Sequence, residues 1–177
     1  MRLYLQLDSE MLTDYIRYIF NGDATSPLKI SSSHEFGELL IAHARTSDRP
    51  VSRPDGNHVI EIELPMSNAT QSLANRFLYY SKADMKRLNM GLHAIFNIDF
   101  QQYYLKGLEL EFAKKDIVTA FITSRKLFSA DVYDAIHKRA YRREVAKQQK
   151  LTRKLLRKVY YIDESINTTG LNTENHD

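Results

Sequence analysis

The chain has 177 residues, 43% hydrophobic and 27% charged, a composition that excludes wholesale disorder and suits one sizeable core or two small domains. It contains no Cys, which excludes a disulfide framework, a thiolate zinc site and a Cys nucleophile together. Its net charge of +3 is unevenly spread: residues 1–136 carry 15 basic and 17 acidic side chains, residues 137–158 carry 10 and 1, and residues 159–177 carry 0 and 4.

At the start, "RLYLQLD" sets Leu3, Leu5 and Leu7 against Tyr4 and Gln6, the alternation of a half-buried strand. The opening "MRLYLQLDSE" has no apolar core of the signal-peptide kind, and no apolar run approaches the roughly 20 residues that span a bilayer. The expectation is a cytoplasmic protein with no membrane segment. Ser9 then caps a helix whose Leu12, Tyr15, Ile16 and Ile19 share a face, stopped by "NGD". "SPLKIS" reads as a short strand. "SSSHEFGELLIAHA" reads as a second helix, with Ser32 and Glu35 spaced as a capping box.

"RPVSRPDGNHVIEIELP" predicts a strand, a Pro-Asp-Gly turn and a second strand, with Ile60, Ile62 and Leu64 on the apolar face. "RFLYY" predicts a last strand, so residues 1–80 form a small sheet with two helices. From residue 81 the period becomes helical. Ser81 and Asp84 cap one helix, Asp99 and Gln102 cap another, a third begins near Lys115, and Ser129 caps a long final helix. The fold class expected is α+β: a small N-terminal sheet with two helices (residues 1–80), a helical unit ending in a long basic helix (81–162), and a flexible acidic tail (163–177).

The final helix carries the sharpest signal. Turned at 100° per residue, Lys138, Arg139, Arg142, Arg143, Lys147, Lys150, Arg153, Lys154, Arg157 and Lys158 all fall within an arc of about 200°. The opposite side holds Ala140, Tyr141, Val145, Leu151, Leu155, Leu156 and Val159. Val132 and Ile136 fall on the basic side, so the first two turns should be buried nearly all round and cationic contact should begin after Ile136. Six like-charged pairs stand four residues apart in this helix, each repulsive by about 0.2 to 0.5 kcal/mol. A polyanion would relieve them by neutralising the stripe and releasing counterions. Two other readings stand beside it: a solvated face screened by the acidic tail, and self-association along Tyr141, Val145, Gln148, Thr152, Leu155 and Val159.

A helix near 115–126, the turn "LFS" and a helix from Ala130 have the order of a helix-turn-helix unit. Asp131 and Asp134 at the start of the would-be recognition helix oppose a contact there, which puts Lys138, Arg139, Arg142 and Arg143 nearest a duplex. "RLYLQLDSEMLTDYIRYIF", followed later by "YYLKGLELEFAKKDIVTAFITSRKLFSADVYDAIHKRAYRR", resembles uncharacterised small proteins carried by bacterial mobile elements of the conjugative or phage-like kind. The likeness extends to about Arg143. It implies a DNA-associated accessory role and transfers no site residue.

Chemical motifs are weak by contrast. "SHEFGE" begins like a zinc protease motif, but Glu38 stands where the second His is needed. Asp55, Glu61 and Glu63 suggest a metal-dependent nuclease, yet Pro65 occupies the position where such a site wants Lys. No phosphate-binding Gly loop and no nucleophile in a convincing context is present. The reading is therefore a non-enzymatic DNA-binding accessory or regulatory protein with no catalytic residue, cofactor or metal. Its partner is nucleic acid, in the form of duplex DNA, and a homo-oligomer formed through the apolar seam is the alternative.

Overall fold

The computed structural model describes residues 1–23, 25–66, 70–129 and 132–141. The chain divides into two units, residues 1–135 and 136–177, the second described only as far as Tyr141. The larger unit is mixed α+β, a small sheet with helices followed by a run of helices, as the periodicities predict.

Strand β1 (Arg2–Gln6) runs antiparallel to β4 (Val59–Glu63), with Leu3 opposite Ile62 and Leu5 opposite Ile60. These four side chains are fully buried, whereas Tyr4, Gln6, Glu61 and Glu63 on the other face are half-buried. Strand β2 (Leu28–Lys29) joins the far side of β4 in parallel, giving the order β1-β4-β2. Strands β3 (Arg45–Ser47) and β5 (Phe77–Tyr79) form a separate antiparallel pair.

The expected hairpin across residues 49–64 does not form. Pro50 and Pro54 lack the N–H that a ladder needs, and no apolar alternation precedes Gly56. The segment is instead a loop, with the Gln6 amide donating to the Asp55 carbonyl at 3.4 Å. The Ile60/Ile62 face takes β1, the strand with the matching apolar pair.

Helix α1 (Glu10–Ile19) starts where expected, the Ser9 hydroxyl accepting from Leu12 N at 3.4 Å. Asn21 then takes a left-handed φ of 51°, a conformation Asn tolerates, and the helix stops. Helix α2 (Glu35–His43) departs from expectation at its cap: the His34 ring Nδ1, not Ser32, accepts from Phe36 N at 3.1 Å. The neighbouring serines are engaged with each other, Ser31 and Ser33 hydroxyls lying 2.6 Å apart. Gly37 is required here, because a Cβ would stand 1.9 Å from the Ser31 carbonyl oxygen.

Helix α3 (Lys82–Glu109) is one helix of 28 residues, where the capping pattern predicts two. No Gly or Pro interrupts it near Asp99, and that carboxylate is taken by a distant Arg rather than by backbone N–H groups. Its cap is as expected: Ser81 Oγ accepts from Asp84 N at 3.2 Å. Helix α4 (Lys114–Ser124) follows a tight turn with Glu111 at φ 60°. Gly107 lets the two helices touch, since a Cβ there would lie 2.7 Å from Ile117 Cγ1. Helix α5 (Val132–Tyr141) is the last described element.

The core joins the sheet's inner face to α1, α2, α3 and α4 through Leu12, Ile16, Phe36, Leu92, Phe96 and Phe121, all essentially inaccessible. An aromatic chain runs through it. Tyr15 meets Phe96 edge-on at 4.9 Å, and Phe121 meets Phe96 at 5.9 Å and Phe100 at 5.1 Å.

Candidate nucleic-acid interface

Of the ten cationic residues that the sequence singles out, two fall in the described structure. Lys138 is exposed on α5, and Arg139 follows it in the same helix. Arg142, Arg143, Lys147, Lys150, Arg153, Lys154, Arg157 and Lys158 lie outside the described residues, as does the tail. In α5 Val132 and Ile136 are buried as expected, but Asp134 and Ala135 are exposed, so the first turns are covered on one face and not all round.

The approach to α5 is held by groups that local sequence patterns do not reveal. One oxygen of the Asp14 carboxylate, on α1, accepts from Phe128 N at 2.9 Å and from Ser129 N at 3.1 Å. Ser129 in turn offers its carbonyl to Val132 N at 3.2 Å. Its hydroxyl, expected to cap the helix, is buried without a hydrogen-bond partner among the described residues. Phe128 is left 75% exposed. Residues 125–131 separate α4 from α5, and Lys126 takes a left-handed φ of 54°.

One turn earlier, Arg125 is boxed. Its guanidinium bonds both oxygens of Asp99 and lies 5.1 Å from the Tyr18 ring centre, 5.4 Å from Tyr103 and 5.3 Å from Phe121. Tyr15 donates to the same carboxylate at 3.1 Å. Burial, with the Asp99 charge beside it, pushes the Tyr15 phenol well above its usual range, so it stays a donor. This cluster ties α1, α3 and the end of α4 together. Their shared acidic partner, Asp99, sits 84 and 26 positions away from Tyr15 and Arg125, beyond any local spacing rule.

A second charged cluster stands at the start of α3. Arg45 bonds the Asp84 carboxylate through Nε to Oδ2 and through Nη2 to Oδ1 at 3.2 Å, and Ser81 donates to Oδ2. The Arg45 guanidinium and the Ser81 hydroxyl hold the Asp84 carboxyl well below the usual carboxylate range. Nearby, the Asn89 amide donates to the carbonyls of Gln6 and Met85, both at 2.9 Å, and accepts from Asp8 N at 3.0 Å. Bonding residues 6 and 8 in this way copies what a neighbouring parallel strand would do, so a side chain closes the end of β1.

Glu61, one of the carboxylates of the nuclease reading, accepts from Arg2 at 3.3 Å. Among the described residues no group of three or more His, Asp or Glu could hold a metal ion, and no helix is long and apolar enough to cross a membrane. No protein-family model matches the chain, and no curated protein or solved structure matches it either.

Proposed function

We propose that the protein is a non-enzymatic DNA-binding accessory or regulatory protein of a bacterial mobile element, acting in the cytoplasm and gripping phosphates through the cationic helix of residues 137–158. One observation carries the reading: 10 Lys or Arg against 1 acid in that segment, all ten within an arc of about 200°. The exposed Asp134 and the long connection between α4 and α5 favour a contact made after Ile136 over a helix-turn-helix tip buried in a groove. Duplex binding measured at two salt concentrations tests it, because a phosphate grip weakens steeply with salt.

A second reading rests on the other side of the same helix. Tyr141, Val145, Leu155 and Val159 make a heptad-like seam that would pair with a second copy. Both uses are compatible, since on a helical projection of the sequence the seam and the cations would fall on opposite sides.

A further inference from the structure

The first two turns of α3 carry Lys82, Lys86 and Arg87, all exposed, within about 140° of helical arc. Arg45 of β3 stands beside them, 53% exposed. The acid among these four cations is Asp84, 2% exposed and already engaged by Ser81, Arg45 and, at 3.7 Å, Arg87. Among the described residues no carboxylate lies within ion-pair distance of Lys82 or Lys86. The two lysines are one helical turn apart, where like charges repel, and they sit at the helix end whose partial positive charge disfavours cations. The fold holds these four cations together around one buried acid and, among the described residues, leaves Lys82 and Lys86 without a counter-charge.

The surface beside them is concave. Between the lysines and the end of β1 lies an open cleft of ≈ 430 Å³, with Leu7, Met85 and Met90 as its apolar wall. Asn89 lines it with an amide fixed by three hydrogen bonds, so this wall is formed before any ligand arrives. The cleft's acid, Asp8, is 64% exposed and stands 3.8 Å from His93 Nε2, leaving cations in excess. Along the helix the exposed positions continue through Met90, Ala94, Asn97, Ile98, Gln102 and Lys106, with no exposed carboxylate before Glu109. On α3 no exposed carboxylate stands nearer the lysines than Glu109, the last residue of the helix.

We propose that this face is a second phosphate-contacting surface, carried by the 1–135 unit, that takes the backbone of nucleic acid through Lys82, Lys86, Arg87 and the free side of Arg45. It rests on the DNA reading for the nature of its ligand, but not on the helix of residues 137–158. Phosphates supply the counter-charge the lysines lack, and a contact of this kind adds affinity without reading sequence.

The test titrates a fluorescein-labelled DNA duplex of about 20 base pairs with the full chain at about 50 and about 200 mM salt. Wild type is compared with K82Q/K86Q/R87Q, with K86Q alone, and with R139A/R142A/R143A/K147A, circular dichroism confirming that each is folded. The triple variant is expected to flatten the log–log salt dependence by about 2 to 3, since each phosphate left without a cation lowers the slope by about 0.9, and K86Q by about 1. Wild-type slope and affinity in both patch variants overturn this surface and leave the DNA reading standing if the quadruple variant fails to bind. Loss of binding in the triple variant with normal binding by the quadruple variant supports this surface and overturns the assignment to residues 137–158. A wild type that binds no duplex overturns both.

Discussion

Arg125 holds Asp99 through two parallel hydrogen bonds, Nε to Oδ2 at 2.9 Å and Nη2 to Oδ1 at 2.8 Å, while its guanidinium lies against three aromatic rings. The pair is only 18% and 25% exposed, so removing one member leaves a partly desolvated charge behind. Arg125→Leu is expected to cost about 2 kcal/mol, the scale of hydrogen bonds to a charged group, read as a lower urea midpoint. An unchanged midpoint contradicts the view that this cluster fastens α4 to α1 and α3.

Asn89 closes the end of β1, and its three bonds involve backbone groups that are hard to satisfy otherwise. Asn89→Asp keeps the acceptor for Asp8 N but removes both donations, to Gln6 O and Met85 O. It is expected to destabilise by about 3 kcal/mol, since it also buries a charge at a position only 4% exposed. Hydrogen exchange at β1 should quicken more than at α4. Uniform exchange across both would show that Asn89 does not close the sheet.

These two clusters mark the boundary of what is legible in sequence. The alternation in Leu3/Leu5 and Ile60/Ile62 and the Ser9 and Ser81 caps are local patterns, and each appears in the fold as read. The long-range partners are not local. Nothing near Asp99 distinguishes an N-cap from an ion-pair acceptor, so the local pattern divides one 28-residue helix in two. Pro50 and Pro54 argue against a strand, yet the Pro-Asp-Gly turn resembles a hairpin because the true partner of β4 lies at the other end of the 1–80 segment. The cationic arc follows from a helical period alone, and eight of its ten residues lie outside the described structure. The lysines at the start of α3 are not, because their isolation depends on Asp84 being buried and on the cleft formed with β1.

Asp84 gives a pH dependence of known sign. Its carboxyl is held below the ordinary range in the folded chain, chiefly by Arg45 and Ser81, so its contribution is present above the unfolded carboxyl pKa of about 4 and is lost as pH falls below it. Asp84→Asn should be less stable than wild type near neutral pH, and the gap should narrow as pH drops from about 5 toward 3. A gap that stays constant across this window would mean that the Arg45 contact does not favour the ionised form.

The apolar seam makes its own demand. If Leu155 and Val159 pair with a second copy, Leu155→Glu should convert a concentration-dependent dimer to a monomer in sedimentation velocity, leaving circular dichroism of the 1–135 unit unchanged. A wild type that sediments as a monomer throughout removes the self-association reading without touching the cationic side of the helix.

The central claim is that residues 137–158 grip duplex DNA by its phosphates, and salt-dependent fluorescence anisotropy with wild type and R139A/R142A/R143A/K147A tests it most directly. The account predicts binding by wild type at low micromolar concentration, weakening at least tenfold between about 50 and about 200 mM salt, and loss of most of that affinity in the quadruple variant. No binding by wild type at low salt, or equal binding by the folded variant, contradicts it.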